Sequence, residues 1–183
     1  MTSQPHPLTP DLDTLAGLFY SSREELGDFT EVTPEAMPPT PRRLLAHNEH
    51  MTVTVEEFHR SPVNVRVLEK LVTPTHYARK ILLERQSDGR VVQYGIMRVN
   101  FDYLPPEVAD EIRSEALPLG RILIEHNVLR RVQLFSLWRV AMGAELQQCF
   151  GSPPGIAYGR TAMIDCNEEP AVELVEIVTP LDL

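Results

Sequence analysis

The sequence predicts an α+β domain, with helices packed on a single antiparallel β-sheet. Two observations carry this prediction. Apolar and polar residues alternate with a period of two in several segments, a pattern typical of half-buried strands. These segments follow one another across short turns with few helices between them, and this spacing favours antiparallel pairing. With 183 residues, the chain has the size of one domain.

Composition narrows the classes of function. The formal net charge is −9, and 43% of the residues are hydrophobic. An acidic chain is a poor nucleic-acid binder, because phosphate neutralisation needs clustered Lys and Arg. No apolar run is long enough to span a membrane, and the first residues lack the pattern of a signal peptide. Cys149 and Cys166 are too few for a disulfide scaffold. We therefore expect a cytoplasmic monomer or small homo-oligomer, without a nucleic-acid or membrane partner.

Residues 1–43 are rich in proline. Seven of the 16 prolines lie in this part of the chain, which predicts an extended arm. One short helix is expected within the arm, near Asp11 to Tyr20. The folded domain is then expected to comprise residues 44–183.

Helix signals follow the arm. The stretch from Arg42 to Asn48 has a helical pattern. Thr52 or Thr54 is placed to cap a further helix that runs through Phe58. Glu57, three residues after Thr54, would complete a capping box.

From residue 63 onward, strands dominate. The turn Ser87-Asp88-Gly89 has the chemistry of a β-hairpin, and the segment Asn167 to Pro170 predicts a second turn. The predicted elements are strands at Val63 to Val67, Tyr77 to Arg85 and Val91 to Asn100, a helix from Leu104 to Glu115, a helical turn at Arg121 to Glu125, and strands at Arg130 to Val140, Ile156 to Cys166 and Ala171 to Val178.

Three charged residues fall on the apolar faces of predicted strands: Arg79, Arg160 and Glu176. Arg79, for example, shares its face with Tyr77 and Ile81, because side chains alternate along a strand. A buried cation must find an anion or remain unpaired at a high cost. The pattern leaves two interpretations open. One is an internal ion pair between an arginine and Glu176, and the other is a closed pocket that binds a ligand carboxylate.

Other candidate sites are weaker. His47 and His50 lie three residues apart, which on a helix would place them on one face. A metal site needs further ligands, and none lies nearby at the usual spacing, so we expect these histidines to pack or to cap a helix terminus. The sequence has no G-x-S-x-G, Walker or G-x-G-x-x-G motif. Cys149 has no identifiable base partner and is expected to be inert. We predict neither a metal nor an organic cofactor.

The order of these features resembles the chorismate lyase family, in particular a distant bacterial branch of it. The two histidines and the Pro-rich arm depart from the pattern of the best-studied lyases. The features that match, between Leu44 and Pro180, are a leucine-rich helix ending in Met51-Thr52, the segment YARKILLE with Arg79, a helix ending in PLGRIL, a strand with Gly159-Arg160, and a last strand with Glu176.

The resemblance implies a chorismate lyase-like α+β fold and assigns roles to individual residues. In that family, an arginine at the place of Arg79 binds a substrate carboxylate. Backbone groups of the PLG segment, here Leu119 and Gly120, contact the ligand. A glutamate in the final strand, here Glu176, faces the reacting hydroxyl and would be the catalytic residue. Arg160 would serve a second carboxylate.

The implied function is chorismate pyruvate-lyase activity, the conversion of chorismate into 4-hydroxybenzoate and pyruvate. Arg79, Arg160 and Glu176 would hold the two carboxylates in a dry pocket and assist proton movement without a cofactor. Two alternatives stay open. One is a specialised-metabolism enzyme of this fold that cyclises or aromatises another carboxylic acid. The other is a non-catalytic module that binds a small ligand, as in transcription regulators that share the fold. In each case the partner is a small-molecule carboxylate.

Overall fold

A computed structural model describes residues 9–181 of the chain. The strands are β1 (Gly27–Val32), β2 (Val63–Val72), β3 (His76–Arg85), β4 (Val91–Asn100), β5 (Arg130–Met142), β6 (Ile156–Cys166) and β7 (Glu169–Val178). The helices are α1 (Leu12–Ala16), α2 (Pro39–Leu45), α3 (Met51–His59), α4 (Pro106–Ser114), α5 (Leu119–Glu125) and α6 (Ala144–Phe150). All seven strands form one antiparallel sheet in the order β1-β5-β6-β7-β4-β3-β2. The predicted fold class is confirmed.

Both faces of the sheet are covered by helices. The front face, as we call it, carries Arg79, Gly95, Glu176 and Arg160, which belong to four adjacent strands. Helices α2 to α5 pack on this face. On the back face, α1 and α6 pack against alternate residues of the same strands, among them Tyr94. The sheet is therefore the middle layer of the molecule.

The front face holds two separate apolar clusters. In the first, Ile112 of α4 and Ile122 of α5 pack with Met97. In the second, Leu45 of α2 and Val55 of α3 pack with β2, β3 and β7. Because the two helix pairs cover different parts of the face, a space remains between them. That space is the cavity described below.

Most of the predicted strands are confirmed. The bounds of β4 and β6 coincide with the predicted segments, and those of β3 and β7 differ by one or two residues. β2 continues to Val72 and β5 to Met142, further than the alternating pattern indicated. The second predicted turn is tighter than expected, because Cys166 pairs directly with Glu169 across two residues of positive φ.

The starts of the helices differ from the predictions. α2 begins at Pro39. Proline is tolerated at the first position of a helix, because the N–H group that it lacks would have no acceptor within the helix there. α3 begins at Met51 and has no side-chain cap, so the predicted capping box with Thr54 is wrong. α5 begins directly after Pro118, and the segment from Leu119 is thus already helical.

The N-terminal arm contributes regular structure. The predicted short helix is confirmed as α1, where the Asp11 carboxylate accepts the Thr14 N–H at 2.8 Å. β1 was not predicted, and it forms an edge of the sheet by pairing with β5. Gly27 starts β1 with a φ of 146°, and a Cβ there would lie 2.2 Å from the Ala141 carbonyl oxygen. The predicted boundary between residues 43 and 44 falls within α2. Pro5 and Pro7 lie outside the described residues.

Helix α6 was also not predicted. It lies between Gly143 and Gly151, and the left-handed conformation of Gly151 ends it. Leu146 is fully buried, and Cys149 and Phe150 pack half-buried against the same back-face cluster. These positions form a short apolar stripe, which the prediction overlooked. Among residues 9–181, no helix is both long and apolar enough to cross a membrane.

Candidate functional site

A buried cavity lies between the front face of the sheet and the first turns of α3 and α5. About 50 Å³ of it can be occupied by the centre of a water-sized sphere, and the space between its lining atoms, counted out into open solvent, is about 550 Å³. This is room for a small molecule. All five site residues that the sequence singled out line this cavity: Arg79, Leu119, Gly120, Arg160 and Glu176.

The register of the strands explains how the charged residues meet. Arg79 stands opposite Met97, and two residues further along, Gly95 stands opposite Glu176. Glu176 in turn stands opposite Arg160. The sheet forms the floor of the cavity. Because Gly95 has no side chain, the cavity is deepest there, between Arg79 and Glu176.

Arg79 is a buried cation without a counter-ion. The residue is only 1% exposed to solvent. Its terminal nitrogens donate long hydrogen bonds to the carbonyl oxygens of Ile112, at 3.4 Å, and Leu117, at 3.5 Å. Its Nε has no hydrogen-bond partner, and among residues 9–181 no carboxylate lies at ion-pair distance. Burial lowers the pKa of Arg79, while Tyr77 and Glu115 oppose this shift.

Arg160 is paired with Glu176 and also anchors a loop. Its Nε donates to Oε2 of Glu176 at 2.7 Å. Its two terminal nitrogens each donate at 3.0 Å, one to the carbonyl oxygen of His47 and the other to that of Glu49. The internal ion pair that the sequence left open therefore exists. It joins Glu176 to Arg160 and leaves Arg79 unpaired.

Glu176 keeps one oxygen free for the cavity. Its Oε2 is engaged by Arg160, whereas Oε1 makes no hydrogen bond within the described residues. The side chain is 10% exposed, and this exposure faces the cavity that it lines. Each residue advances a strand by about 3.3 Å and strands lie about 4.8 Å apart, so the backbone positions of Arg79 and Glu176 are about 12 Å apart.

The two histidines have protein partners. Nε2 of His47 donates to the Leu44 carbonyl oxygen at 2.6 Å, and its Nδ1 accepts the Glu49 N–H at 3.1 Å. Nε2 of His50 accepts from Arg130 at 2.8 Å. Burial and the nearby arginines lower the pKa of His50 to about 4. Both rings are thus held in the neutral form.

The histidines lie outside the helices, so they do not share a helix face. His47 follows α2, and His50 precedes α3 at its N-cap position. Within residues 9–181, no group of three or more His, Cys, Asp or Glu side chains is placed to hold a metal ion. Burial and Glu145 raise the pKa of the Cys149 thiol, which does not favour the reactive thiolate.

Leu119 and Gly120 form part of the roof together with Thr52. As the first two residues of α5, they have N–H groups with no acceptor inside the helix. Gly120 permits the close approach of α3, because a Cβ at this position would lie 2.9 Å from the Thr52 hydroxyl oxygen. The roof is thus fixed by contact between the two helices.

The structure adds cavity residues that sequence reasoning missed. His50, Thr52 and Gln93 are the polar ones, and Gln93 is only 3% exposed. Of the buried side-chain nitrogen and oxygen atoms in residues 9–181 without a hydrogen-bond partner, Arg79 Nε and Gln93 Oε1 both belong to residues of this cavity. Gln93 has a signal in the sequence, since it is a polar residue on the same strand face as Gly95 and Met97.

Comparison with known proteins gives a fold but no family. A scan against protein-family models finds no match, and a search of curated protein sequences finds none. Solved structures do match. PhnF from Mycobacterium smegmatis aligns with a TM-score of 0.54 at 9% sequence identity, over 71% of this chain and 63% of PhnF. The effector domain of PhnF, solved separately, gives a TM-score of 0.52 at 8% identity, over 72% of this chain and 88% of the domain.

The ligand-binding domain of a protein assigned to the GntR family of transcriptional regulators, from Bordetella bronchiseptica, aligns with a TM-score of 0.49 at 14% identity, over 66% of this chain and 92% of that domain. The chain spans less than two thirds of PhnF but most of its effector domain. At such identities the likeness concerns the fold alone. The chain has the chorismate lyase-like fold that the sequence predicted.

Proposed function

We propose that the protein binds a small organic monocarboxylate in the front-face cavity, with Arg79 as the partner of the carboxylate. The observation that carries this proposal is the unpaired guanidinium of Arg79, buried at one end of the cavity. A buried cation without a counter-ion is costly. A ligand carboxylate would supply the missing charge and match the planar fork of the guanidinium.

The charges in the cavity favour one carboxylate over two. The sequence predicted that Arg160 serves a second carboxylate. Glu176 already neutralises Arg160, and two backbone carbonyl oxygens occupy its terminal nitrogens. A second carboxylate near Glu176 would therefore meet a negative charge before it met a free cation.

The rest of the cavity suits an apolar body, such as a ring. Its walls include Ile81, Met97, Val132, Ile164 and Leu174, and the thioether of Met97 adapts readily to a ring. The likeness to the PhnF effector domain supports binding without turnover. These features favour an aromatic or cyclic acid held as an effector.

A second candidate function is the lyase reaction that the resemblance implies. The free Oε1 of Glu176 favours it, because this oxygen faces the same cavity as Arg79. In the reaction, the bond between the ring carbon and the enolpyruvyl oxygen of chorismate breaks and a ring proton is lost, which gives 4-hydroxybenzoate. The released enolpyruvate takes up one proton at its methylene carbon and becomes pyruvate. Glu176 would orient the leaving side of the ring or move a proton there. The specialised-metabolism alternative would use the same groups on another acid.

Two measurements on the full chain test these proposals. Isothermal titration calorimetry with benzoate and 4-hydroxybenzoate should show binding that the Arg79→Met variant loses. Mass spectrometry after incubation with chorismate should show no 4-hydroxybenzoate or pyruvate if the protein only binds its ligand. Formation of both products would establish the lyase. If the parent protein neither binds these acids nor converts chorismate, both candidate functions are wrong.

A further inference from the structure

Gln93 lies in the cavity with its polar end unused. It is on the front face of β4, where it stands opposite Leu83 on one side and Val178 on the other. Its Oε1 is buried without a hydrogen-bond partner, and its Nε2 makes no hydrogen bond within the described residues. A buried amide normally finds partners, because its desolvation is otherwise uncompensated. The missing partner is therefore expected inside the cavity.

Gln93 lies near Glu176 on the front face and far from Arg79. Gln93 lies two residues from Gly95, the cross-strand partner of Glu176, so Gln93 and Glu176 are diagonal neighbours on one face. Arg79 lies opposite Met97, four residues further along β4. The backbone positions of Arg79 and Gln93 are then about 14 Å apart. The cavity thus has a cationic end at Arg79 and a hydrogen-bonding end at Gln93 and Glu176.

We propose that Gln93 is a specificity-determining residue that selects ligands with a hydroxyl group at the end opposite the carboxylate. This inference rests on the proposed function, in which Arg79 holds the carboxylate. The Glu176 carboxylate can only accept a hydrogen bond, whereas the Gln93 amide can both donate and accept. A hydroxyl group supplies the donor that Oε1 of Gln93 lacks. If the amide turns over, Nε2 donates to the hydroxyl oxygen instead and the hydroxyl proton is free for Oε1 of Glu176.

Other groups satisfy this end of the cavity less well. An ether oxygen cannot donate to Glu176, and a hydrogen atom leaves both polar groups unpaired. A second carboxylate is repelled by Glu176 and finds only the neutral amide of Gln93 as a donor. The selected ligand class is therefore a hydroxylated cyclic or aromatic monocarboxylic acid.

Calorimetry with matched ligands and variants of the full chain tests the role of Gln93. The ligands are benzoate, 3-hydroxybenzoate, 4-hydroxybenzoate and 4-methoxybenzoate. The parent protein should bind one of the hydroxybenzoates about tenfold or more tightly than benzoate and 4-methoxybenzoate, because a site with buried polar groups rejects an analogue that leaves them unpaired. Gln93→Leu should lower this preference several-fold and retain benzoate binding, since Glu176 remains as one acceptor for the hydroxyl group. Gln86→Leu, on the exposed hairpin, is the control and should keep the preference.

The outcomes separate this inference from the proposed function. If Gln93→Leu keeps the full preference for the hydroxyl group, or weakens benzoate and hydroxybenzoate equally, Gln93 does not read the hydroxyl and the inference is wrong. Benzoate binding that is lost only in Arg79→Met would still support the proposed function. If the parent protein binds none of the four acids, both proposals fail. Gln93→Asn keeps an amide in the core and guards against misfolding of the leucine variant. Its shorter side chain should still reduce the preference for hydroxybenzoates over benzoate.

Discussion

Arg79 and Arg160 line the same cavity, yet of the two only Arg160 has a carboxylate partner among the residues that the structure describes. Glu176 stands directly across from Arg160 and accepts its hydrogen bond at 2.7 Å. Within residues 9–181, Arg79 donates two long hydrogen bonds to carbonyl oxygens, and Tyr77 and Glu115 act on its charge without forming an ion pair with it. The Glu176 carboxylate thus neutralises Arg160, which has a structural role, and leaves Arg79 available to bind an anion.

Replacing Arg79 should affect stability and binding in opposite directions. Arg79→Met removes an unpaired buried charge and keeps an apolar stem, so it should stabilise the free protein by about 1–2 kcal/mol, seen as a higher Tm. It should also weaken binding of 4-hydroxybenzoate by about 2–5 kcal/mol. Arg79→Lys should recover only part of this affinity, because an ammonium group lacks the planar fork. A lower Tm with unchanged affinity would make Arg79 a structural residue.

Glu173 provides a matched control for Glu176. Both glutamates are buried on β7 and pair with an arginine on the adjacent strand, but Glu173 faces away from the cavity and binds Arg98 with hydrogen bonds of 2.6 and 2.9 Å. Both Glu176→Gln and Glu173→Gln should destabilise the protein, Glu176→Gln more, because its partner Arg160 is 1% exposed and Arg98 is 25% exposed. Only Glu176→Gln should change the affinity for hydroxybenzoates.

The same pair of variants also tests the lyase candidate. If the protein converts chorismate, Glu176→Gln should lower kcat by about 10²–10⁴, the usual contribution of general acid–base catalysis. Glu173→Gln should leave kcat close to that of the parent. Equal losses of kcat in the two variants would contradict a direct role for Glu176.

Acid should destabilise the protein partly through His50. Its pKa is about 4 in the folded protein and lies near 6.5 when the chain is unfolded. The stability from neutral His50 is therefore complete above pH 6.5 and is lost as the pH falls toward 4, since the unfolded chain then binds the additional proton. Between pH 7 and pH 5 this amounts to about 2 kcal/mol. Urea unfolding at both pH values should show a smaller loss for His50→Gln than for the parent.

His47 and His59 also have lowered pKa values, both mainly because of burial. Some loss of stability in acid should therefore persist in His50→Gln. If the free energy of unfolding depends on pH identically in the parent and in His50→Gln, folding does not lower the pKa of His50.

The floor of the cavity can be raised without disturbing the sheet. A Cβ at Gly95 would lie 3.4 Å from the nearest side-chain atom of Ile81 and 3.5 Å from the Val175 carbonyl oxygen, which are ordinary contacts. Gly95→Ala should therefore fold normally and keep the parent's Tm or exceed it. It should weaken ligand binding in calorimetry, because the added methyl group occupies space between Arg79 and Glu176. Unchanged affinity would place the ligand away from this part of the floor.

Much of the fold and the placement of the site could be predicted from local pattern. Alternation along β3, β6 and β7 assigned Arg79, Arg160 and Glu176 to apolar faces, and such alternation is a property of each strand alone. That these faces all point to one cavity depends on the order of strands in the sheet. The resemblance to chorismate lyases implied that these residues serve one site, and local pattern alone does not contain that information.

The remaining features depend on distant contacts. Which arginine pairs with Glu176 is decided by register, because β7 lies between β6 and β4 and only Arg160 stands directly opposite. Gln93 looks like an ordinary polar residue in a strand until the burial of its amide is known. β1 was missed because its short polar sequence becomes a strand only through pairing with β5.

The pairing of β1 with β5 also bears on the order of folding. The two strands are joined by a long intervening chain that includes three other strands and four helices. Closing such a loop costs entropy before any contact compensates for it, so contacts between distant segments form late. We expect the amides of β1 to gain protection from hydrogen exchange after those of β6 and β7 when refolding is followed by pulse labelling. β1, although it is synthesised before the other six strands, would then be the last of them to join the sheet.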